Sequence, residues 1–506
     1  MRLVCNQMPI TASIVASILC SLLAACSEAR VGGEGDLVLR NVTVVSPERA
    51  APLADAWIAV RDGRIAAVGE GNPGDAWSRA RVVDAGGRYL TPGLIDSHVH
   101  LADIPGFPRP TPPELSDIAA AYETQLPRSY LYFGYTTLID LSVSDRAFID
   151  RFKAQPLHPD LYDCDGSLPL ANGYPMAFLP PDSRFPPYRN FLHDPRQAEE
   201  IPAEYSPEDH TPQAAVGRVA ASGGICVKTF WETGFGPLRG LPTPTQAMIA
   251  DVIRASRANG LVVTMHANSL DAHRFATEAG VDVIVHGLWN APGEGALSDE
   301  TKAVLDTTIT RRIGYMPTMQ VLAGMGLMFR PDFLDEPALA AVVPAGLIDW
   351  YRSPDGQWFV EELRADFGGA ENENILSMIS TEGGPGFTSR KTTAYLAAHD
   401  ARILFGSDTP SSPTYGNPPG YNGYLEMKQL VAAGVSLRQL LAAATIDNAE
   451  TFNLADRYGT VEKGKVANML LLEKNPLDSV EAWNAIHAVI LHGEWIDRTS
   501  LSANGR

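Results

Sequence analysis

The chain has 506 residues, enough to bury a large core and to form one big domain with a smaller companion. It is 45% apolar and 20% charged, an ordinary globular balance. Its formal net charge of -19, with no basic tract, argues against a nucleic-acid partner and for solubility.

Arg2 is the only charged residue before Glu28. The apolar segment 10–23 runs into Leu23-Ala24-Ala25-Cys26. A short apolar core with a small-residue exit reads as a secretory signal, and it is short for a membrane span, which needs roughly 20 residues. Leu-Ala-Ala-Cys resembles the lipobox of bacterial lipoproteins. The resemblance implies removal of residues 1–25 as a signal peptide and acylation of Cys26. The product would be an exported protein, lipid-anchored to the bacterial membrane. Ser27, where aspartate would retain the protein, favours the periplasmic side of the outer membrane. The alternative is an ordinary secretory signal with a chance cysteine. Cys5 and Cys20 leave with the signal, so Cys164 and Cys226 remain. Two cysteines in an exported chain could pair. Both lie in runs that read as buried strands, and two free buried thiols are expected.

Residues 26–36, with three glycines among polar residues, read as a tether. Residues 37–91 are β-rich, with strand-like runs at 37–45, 57–60, 64–68, 81–84 and 88–90. Asp62-Gly63 is a strong hairpin signal. A Pro92-Gly93 turn closes this part, and residues 456–506 return to β character. The tail is expected to complete the first sheet, giving a small β-sandwich domain built from both termini.

Between them, in residues 92–455, eight apolar runs of strand length recur at 94–100, 136–141, 161–167, 224–230, 261–266, 281–286, 313–318 and 402–408. Amphipathic helical stretches such as 245–259 and 270–279 separate several of them. Near-continuous apolar strands alternating with helices predict a parallel sheet. Eight such units predict an α/β fold in which a (β/α)8 TIM barrel is inserted into the terminal β domain. Two long connections, 165–212 and 322–393, have the length of functional lids.

Polar residues gather at the ends of these runs. His98 and His100, spaced i, i+2, would point to one face of a strand, as two ligands of one metal must. Lys228 lies in the fourth run, His266 closes the fifth, His286 the sixth and Asp408 the eighth. In a barrel all C-terminal strand ends meet at one mouth, where catalytic groups sit. Four histidines, a carboxylate and a lysine at such ends are not explained by core packing.

At these residues the sequence resembles the amidohydrolase superfamily over nearly all of 37–490. The stretch 91–100 matches its Pro-Gly-x-x-Asp-x-His-x-His motif. His266-Ala267-Asn268, Val285-His286-Gly287 and Gly406-Ser407-Asp408-Thr409 match its later motifs, and Ala443-Ala444-Thr445 with Asn448-Ala449 its C-terminal signature. That signature usually continues to Ala-Asp-Leu, where this chain has Ala467-Asn468-Met469. Lys228 places the chain with members whose bridging ligand is a carboxylated lysine. The resemblance implies two divalent metal ions, most plainly zinc. His98, His100 and Asp408 would hold one and His266 and His286 the other, with a CO2-derived carbamate on Lys228 between them. It also implies hydrolysis by a metal-held hydroxide, with Asp408 as the catalytic proton carrier. The expected reaction is cleavage of a C–N bond in an amide, dipeptide or cyclic amide, on a small-molecule substrate. The same site could serve an esterase, lactonase or phosphotriesterase, and a non-catalytic binding lipoprotein is the third reading. Segments 102–113, 172–175, 231–235 and 322–393 are expected to line the substrate pocket, with Tyr174 and Trp231 as candidate contacts that could equally be packing residues. Substrate and oligomeric state are not legible in the sequence.

Overall fold

The computed structural model describes residues 35–108, 111–196, 201–236, 238–289, 295–380, 384–411 and 413–505. The expected signal peptide and Cys26 lie outside the described residues.

Five strands come first: β1 (Leu37–Val44), β2 (Leu53–Arg61), β3 (Arg64–Glu70), β4 (Arg81–Asp84) and β5 (Tyr89–Pro92). Asp62 and Gly63 both have positive φ, 50° and 71°, the geometry a two-residue hairpin requires. Seven shorter, buried strands follow: β6 (Leu94–Val99), β7 (Tyr135–Asp140), β8 (Asp160–Asp163), β9 (Cys226–Phe230), β10 (Val262–His266), β11 (Val283–Val285) and β12 (Gly314–Met316). The chain ends with β13 (Met469–Leu472), β14 (Ile486–Leu491) and β15 (Glu494–Asp497).

The terminal strands pair in the order β15-β14-β13-β5-β1-β2-β3, with β4 also on β1. β4 lies beside the first half of β1 and β5 beside its end, so one hydrogen-bonded network holds all eight. The tail enters through β13, antiparallel to β5, and through Ile65 N–H donating to the Lys465 carbonyl at 2.9 Å. The expected Pro92-Gly93 turn is instead a one-residue step from β5 straight into β6. A Cβ on Gly93 would lie 2.1 Å from Thr136 Oγ1, so only glycine lets β6 lie this close to β7.

The central strands form two parallel sheets, β6-β7-β8 and β12-β11-β10-β9. Nearly every residue in them is buried, which fits sheets covered on both faces. Backbone bonds join the sheets on one side, from Ile225 to Asp163 at 2.9 Å and from Leu168 to Lys228 at 2.7 Å. On the other side lies 402–409, which bonds from Leu404 to Tyr315 at 2.8 Å and from Asp408 to His98 at 2.8 Å. This eighth run makes isolated parallel bridges but no continuous strand. Side chains take its ladder groups: Asp96 accepts the Ser407 N–H at 2.9 Å, and Asn448 donates to the Phe405 carbonyl at 2.7 Å.

The two cysteines correct the sequence reading. Cys164 and Cys226 form a disulfide across a Cα separation of 4.5 Å. Burial is compatible with either state, and the 62-residue separation hides that the two stand side by side just after β8 and at the start of β9.

Helices have local causes. Thr245 caps Gln246–Ala258 by accepting the Met248 N–H, and Ser269 caps Leu270–Ala279 by accepting the Ala272 N–H. Gly280, at φ 77°, ends the second in the left-handed conformation. The connection expected over 322–393 is largely helical: it holds Ala345–Arg352, Trp358–Asp366, Asn372–Ser380 and most of Pro385–Ala398. Phe333, Leu339, Leu347 and Tyr351 sink it into the main core, and Tyr351 Oη donates to the Pro105 carbonyl at 2.6 Å. Trp358 Nε1 donates to the Gly106 carbonyl at 2.8 Å, so this insertion braces the loop after β6.

Candidate metal and catalytic site

The ends of the central strands converge on Asp408. His98 on β6 and His100 just beyond it bring Nε2 to 3.1 and 3.0 Å from Asp408 Oδ1. His286, just past β11, brings Nδ1 to 3.9 Å from Asp408 Oδ2. Among the described residues, His98, His100 and Asp408 place ligand atoms within 4.8 Å of one another. Imidazole nitrogens and a carboxylate oxygen at that spacing suit a divalent ion such as zinc. His266 ends β10 with its ring centroid 4.5 Å from that of His286, but its Nε2 faces the Glu232 carboxylate at 3.5 Å.

Among the expected ligand residues, Lys228 Nζ and His98 Nδ1 are buried without a hydrogen-bond partner. Lys228 is 2% exposed, and burial pulls its amine down to about 7, partly opposed by the Asp408 charge. Burial likewise holds His98, His266 and His286 below the ordinary histidine range, with neighbouring positive groups adding to it. Burial opposes charging of His100 too, but the Asp408 hydrogen bond and charge raise it overall. Three neutral imidazoles and an amine close to its neutral form are what metal ligation and carbamate formation need. The residues present therefore fit the group that the motifs imply.

The backbone is strained here. His286, Asp408 and Thr318 have φ of 78°, 53° and 44°, the left-handed region. For β-branched Thr318 this is a genuine outlier, and each such residue costs on the order of 1 kcal/mol. Thr318 uses the position to hold His286 Nδ1 at 2.8 Å from its Oγ1.

Supporting residues beyond the sequence reading are also in place. Asp96, inside the first motif, accepts the N–H groups of His98 at 3.2 Å and Ser407 at 2.9 Å. It thus fixes the backbones that carry His98 and Asp408. Asn422 donates to the Ser407 carbonyl and to Thr409 Oγ1, both at 2.8 Å. Asn448 of the C-terminal signature donates to Ile95 and Phe405, so that signature clamps β6 to 402–409. Glu232 accepts the Gly234 N–H at 2.7 Å. Burial opposes its ionisation, but His266 and that N–H outweigh burial and lower it below the usual carboxylate range. Its place two residues beyond β9 was the one signal in the sequence.

Tyr174 enters the site. Its ring lies 4.5 Å from that of His266, half-buried, and burial with the charges of Asp408 and Glu232 raises its hydroxyl well above the ordinary range. Trp231 stays out: its ring is 5.8 Å from Phe275, on the outer helix Leu270–Ala279. The tryptophan beside the histidines is Trp289, 5.7 Å from His286.

The class of fold seen here is a parallel α/β scaffold that gathers polar groups at one end of its sheets, with histidines and an aspartate at or just past the strand ends and a buried lysine within β9. Within that class the chain belongs to the amidohydrolase family, which its residues 89–496 match. An allantoinase from Desulfitobacterium hafniense is 45% identical over 68 residues, 13% of this chain and 14% of that one. The chain thus spans about a seventh of the length of that curated relative. Among solved structures, an amidohydrolase aligns at TM-score 0.64 with 21% identity, covering 91% of this chain and 99% of that one. An Xaa-Pro dipeptidase crystallised with methionine in its active site aligns at TM-score 0.62 with 18% identity, covering 92% and 100%. These likenesses give the chain their shared fold.

Proposed function

We propose that this protein is a metal-dependent amidohydrolase that cleaves the C–N bond of an amide, a dipeptide or a cyclic amide. The observation that carries the reading is the convergence of His98, His100 and Asp408 within ligand distance, beside a buried and unpartnered Lys228. The same reading takes 92–455 as a (β/α)8 barrel, with 402–408 as its eighth wall, inserted into a β domain made of 37–91 and 456–506. Divalent ions, zinc by donor type, would be held by His98, His100 and Asp408 and by His266 and His286, and would polarise the scissile carbonyl and acidify a water.

The chain's own residues supply the rest. Lys228 Nζ, as the neutral amine, would add to CO2: an N–C bond forms as one C=O π bond opens onto oxygen, and an N–H proton is lost to solvent, which leaves an anionic carbamate with two oxygens. Asp408 accepts the proton of the attacking water on a carboxylate oxygen and delivers it to the leaving nitrogen. Glu232, as acceptor for His266 Nε2–H, keeps the Nδ1 lone pair of that ring free. Asp96 and Thr318 hold Asp408 and His286 in place.

Metal analysis of the full-length protein is expected to find about two ions per chain. Removing them should abolish hydrolysis of dipeptides and N-acyl amino acids while leaving the circular dichroism unchanged, since the core is built without them. Full turnover in a verified metal-free sample would refute the mechanism.

The anchor is part of the proposal. Cys26 is taken as an acylated residue that ties the enzyme to the periplasmic side of the outer membrane. Cys26→Ser should leave the precursor unprocessed or release the protein from the membrane fraction. A processed mutant that still needs detergent for release would sink the lipoprotein reading.

A further inference from the structure

Five aromatic rings stand on one side of the proposed metal site. Tyr174, beside His266, is 5.7 Å from each of Phe178, Phe230 and Phe235. Phe178 and Phe235 are 5.0 Å apart, and Phe235 reaches Trp289 at 6.4 Å. Trp289 returns to the histidines, 5.7 Å from His286 and 6.5 Å from His266. The rings therefore form a chain that begins and ends at the proposed ligands.

Its outer members are unusual. Phe178 is 41% exposed and Phe235 39%, and they are two of only four large hydrophobic residues exposed among the described residues. Isolated exposed apolar residues are normal, but two that touch each other beside a polar site form a patch. Folding alone would favour burying these rings or replacing them with polar residues. The five rings come from the turns at 174–178, from β9 and the stretch after it, and from the stretch after β11, so no single element explains their meeting. Trp289 adds a covered indole N–H with no acceptor among the described residues.

Resting on the amidohydrolase reading, we propose that this wall is the specificity pocket of the same site. It takes substrates whose aromatic or bulky apolar side chain sits next to the scissile C–N bond. The side chain lies against Phe178 and Phe235 while its amide reaches the His98–Asp408 cluster past Tyr174. Aryl groups fit best, because offset and edge-to-face packing with rings 4.5–7 Å apart adds to plain burial.

The test uses the metal-loaded full chain, two pairs of ligands and the double variant Phe178→Ala/Phe235→Ala. Both side chains are partly in solvent, so their truncation should leave the melting temperature near that of the native protein. Hydrolysis is compared for a phenylalanyl and a glycyl dipeptide, and binding for N-acetyl-phenylalanine and N-acetyl-glycine. The native protein should favour the aryl member of each pair by roughly tenfold or more, and the double variant should lose most of that preference, mainly through KM and Kd. The binding arm separates the two ideas. If the aryl ligand binds more tightly, the variant removes the difference and neither peptide is cleaved, the pocket stands and the hydrolase reading fails. If both peptides are cleaved but aryl and glycyl ligands bind equally, or the variant weakens both alike, the pocket is refuted and the hydrolase stands.

Discussion

Lys228→Ala is expected to lose most of its bound metal and to reduce turnover by about a thousandfold or more, comparable to removing a group that acts only as part of a unit. Lys228 shares its strand face with Cys226 and Phe230, by the alternation of β9. Its amine is buried with no hydrogen-bond partner, within reach of the Asp408 charge, and its own charge acts on His98, His266 and His286. As an ammonium it would repel divalent ions; as a carbamate it would offer them two anionic oxygens. Alanine removes the carrier and leaves a gap of the right size, so acetate or propionate should restore part of both metal and activity. Lys228→Arg should fail without rescue, because guanidinium stays charged and forms no carbamate. The amine must also be neutral to react with CO2. Since burial lowers it to about 7, carbamate formation and metal uptake should rise with pH through neutrality and fall off below about 6. Two bound metals and near-native turnover in Lys228→Ala would make the lysine a bystander.

How much of this was legible in the sequence varies with the range of the interaction. The strands that carry His98 and His266, and the one that His286 follows, are legible as local apolar runs, and the helix Leu270–Ala279 has the bounds read from its pattern. That His98, His100 and Asp408 would meet rested on the expectation that all strand ends face one mouth; in the structure both imidazoles lie 3.0–3.1 Å from one Asp408 oxygen. What failed was non-local. The disulfide needs the adjacency of Cys164 and Cys226, which only strand order supplies. The eighth run looks like a strand in sequence, yet Asp96 and Asn448, from two distant segments, take its backbone groups. Residues 322–393 read as a loop because their apolar residues are interrupted by Gly and Pro; the interruptions fall between short helices. Trp231 and Trp289 show the limit most plainly: both follow a central strand within a few residues, but one turns to an outer helix and the other to the histidines.

Asp408→Asn is the second variant with a large expected effect, and it separates ligand from proton carrier. The carboxylate is held at φ 53° by a backbone bond to His98 and by Asp96 through Ser407, so asparagine of the same shape should occupy the same place. What changes is charge. Asp408 Oδ1 is shared by His98 and His100 at 3.1 and 3.0 Å, and an amide can neither bring an anion to that point nor take a proton from water. Turnover should fall by about 10²–10⁴, the usual contribution of a positioned acid–base group. Metal content decides the rest: full metal with lost turnover assigns Asp408 mainly to proton transfer, and one ion lost assigns it to the His98–His100 ion as well. The His98→Ala/Asp408→Asn double variant should be hardly worse than either single one, because both remove the same assembled unit. Strictly multiplicative losses would mean that the two residues act independently, and turnover within a few-fold of native in Asp408→Asn would remove the aspartate from the chemistry altogether.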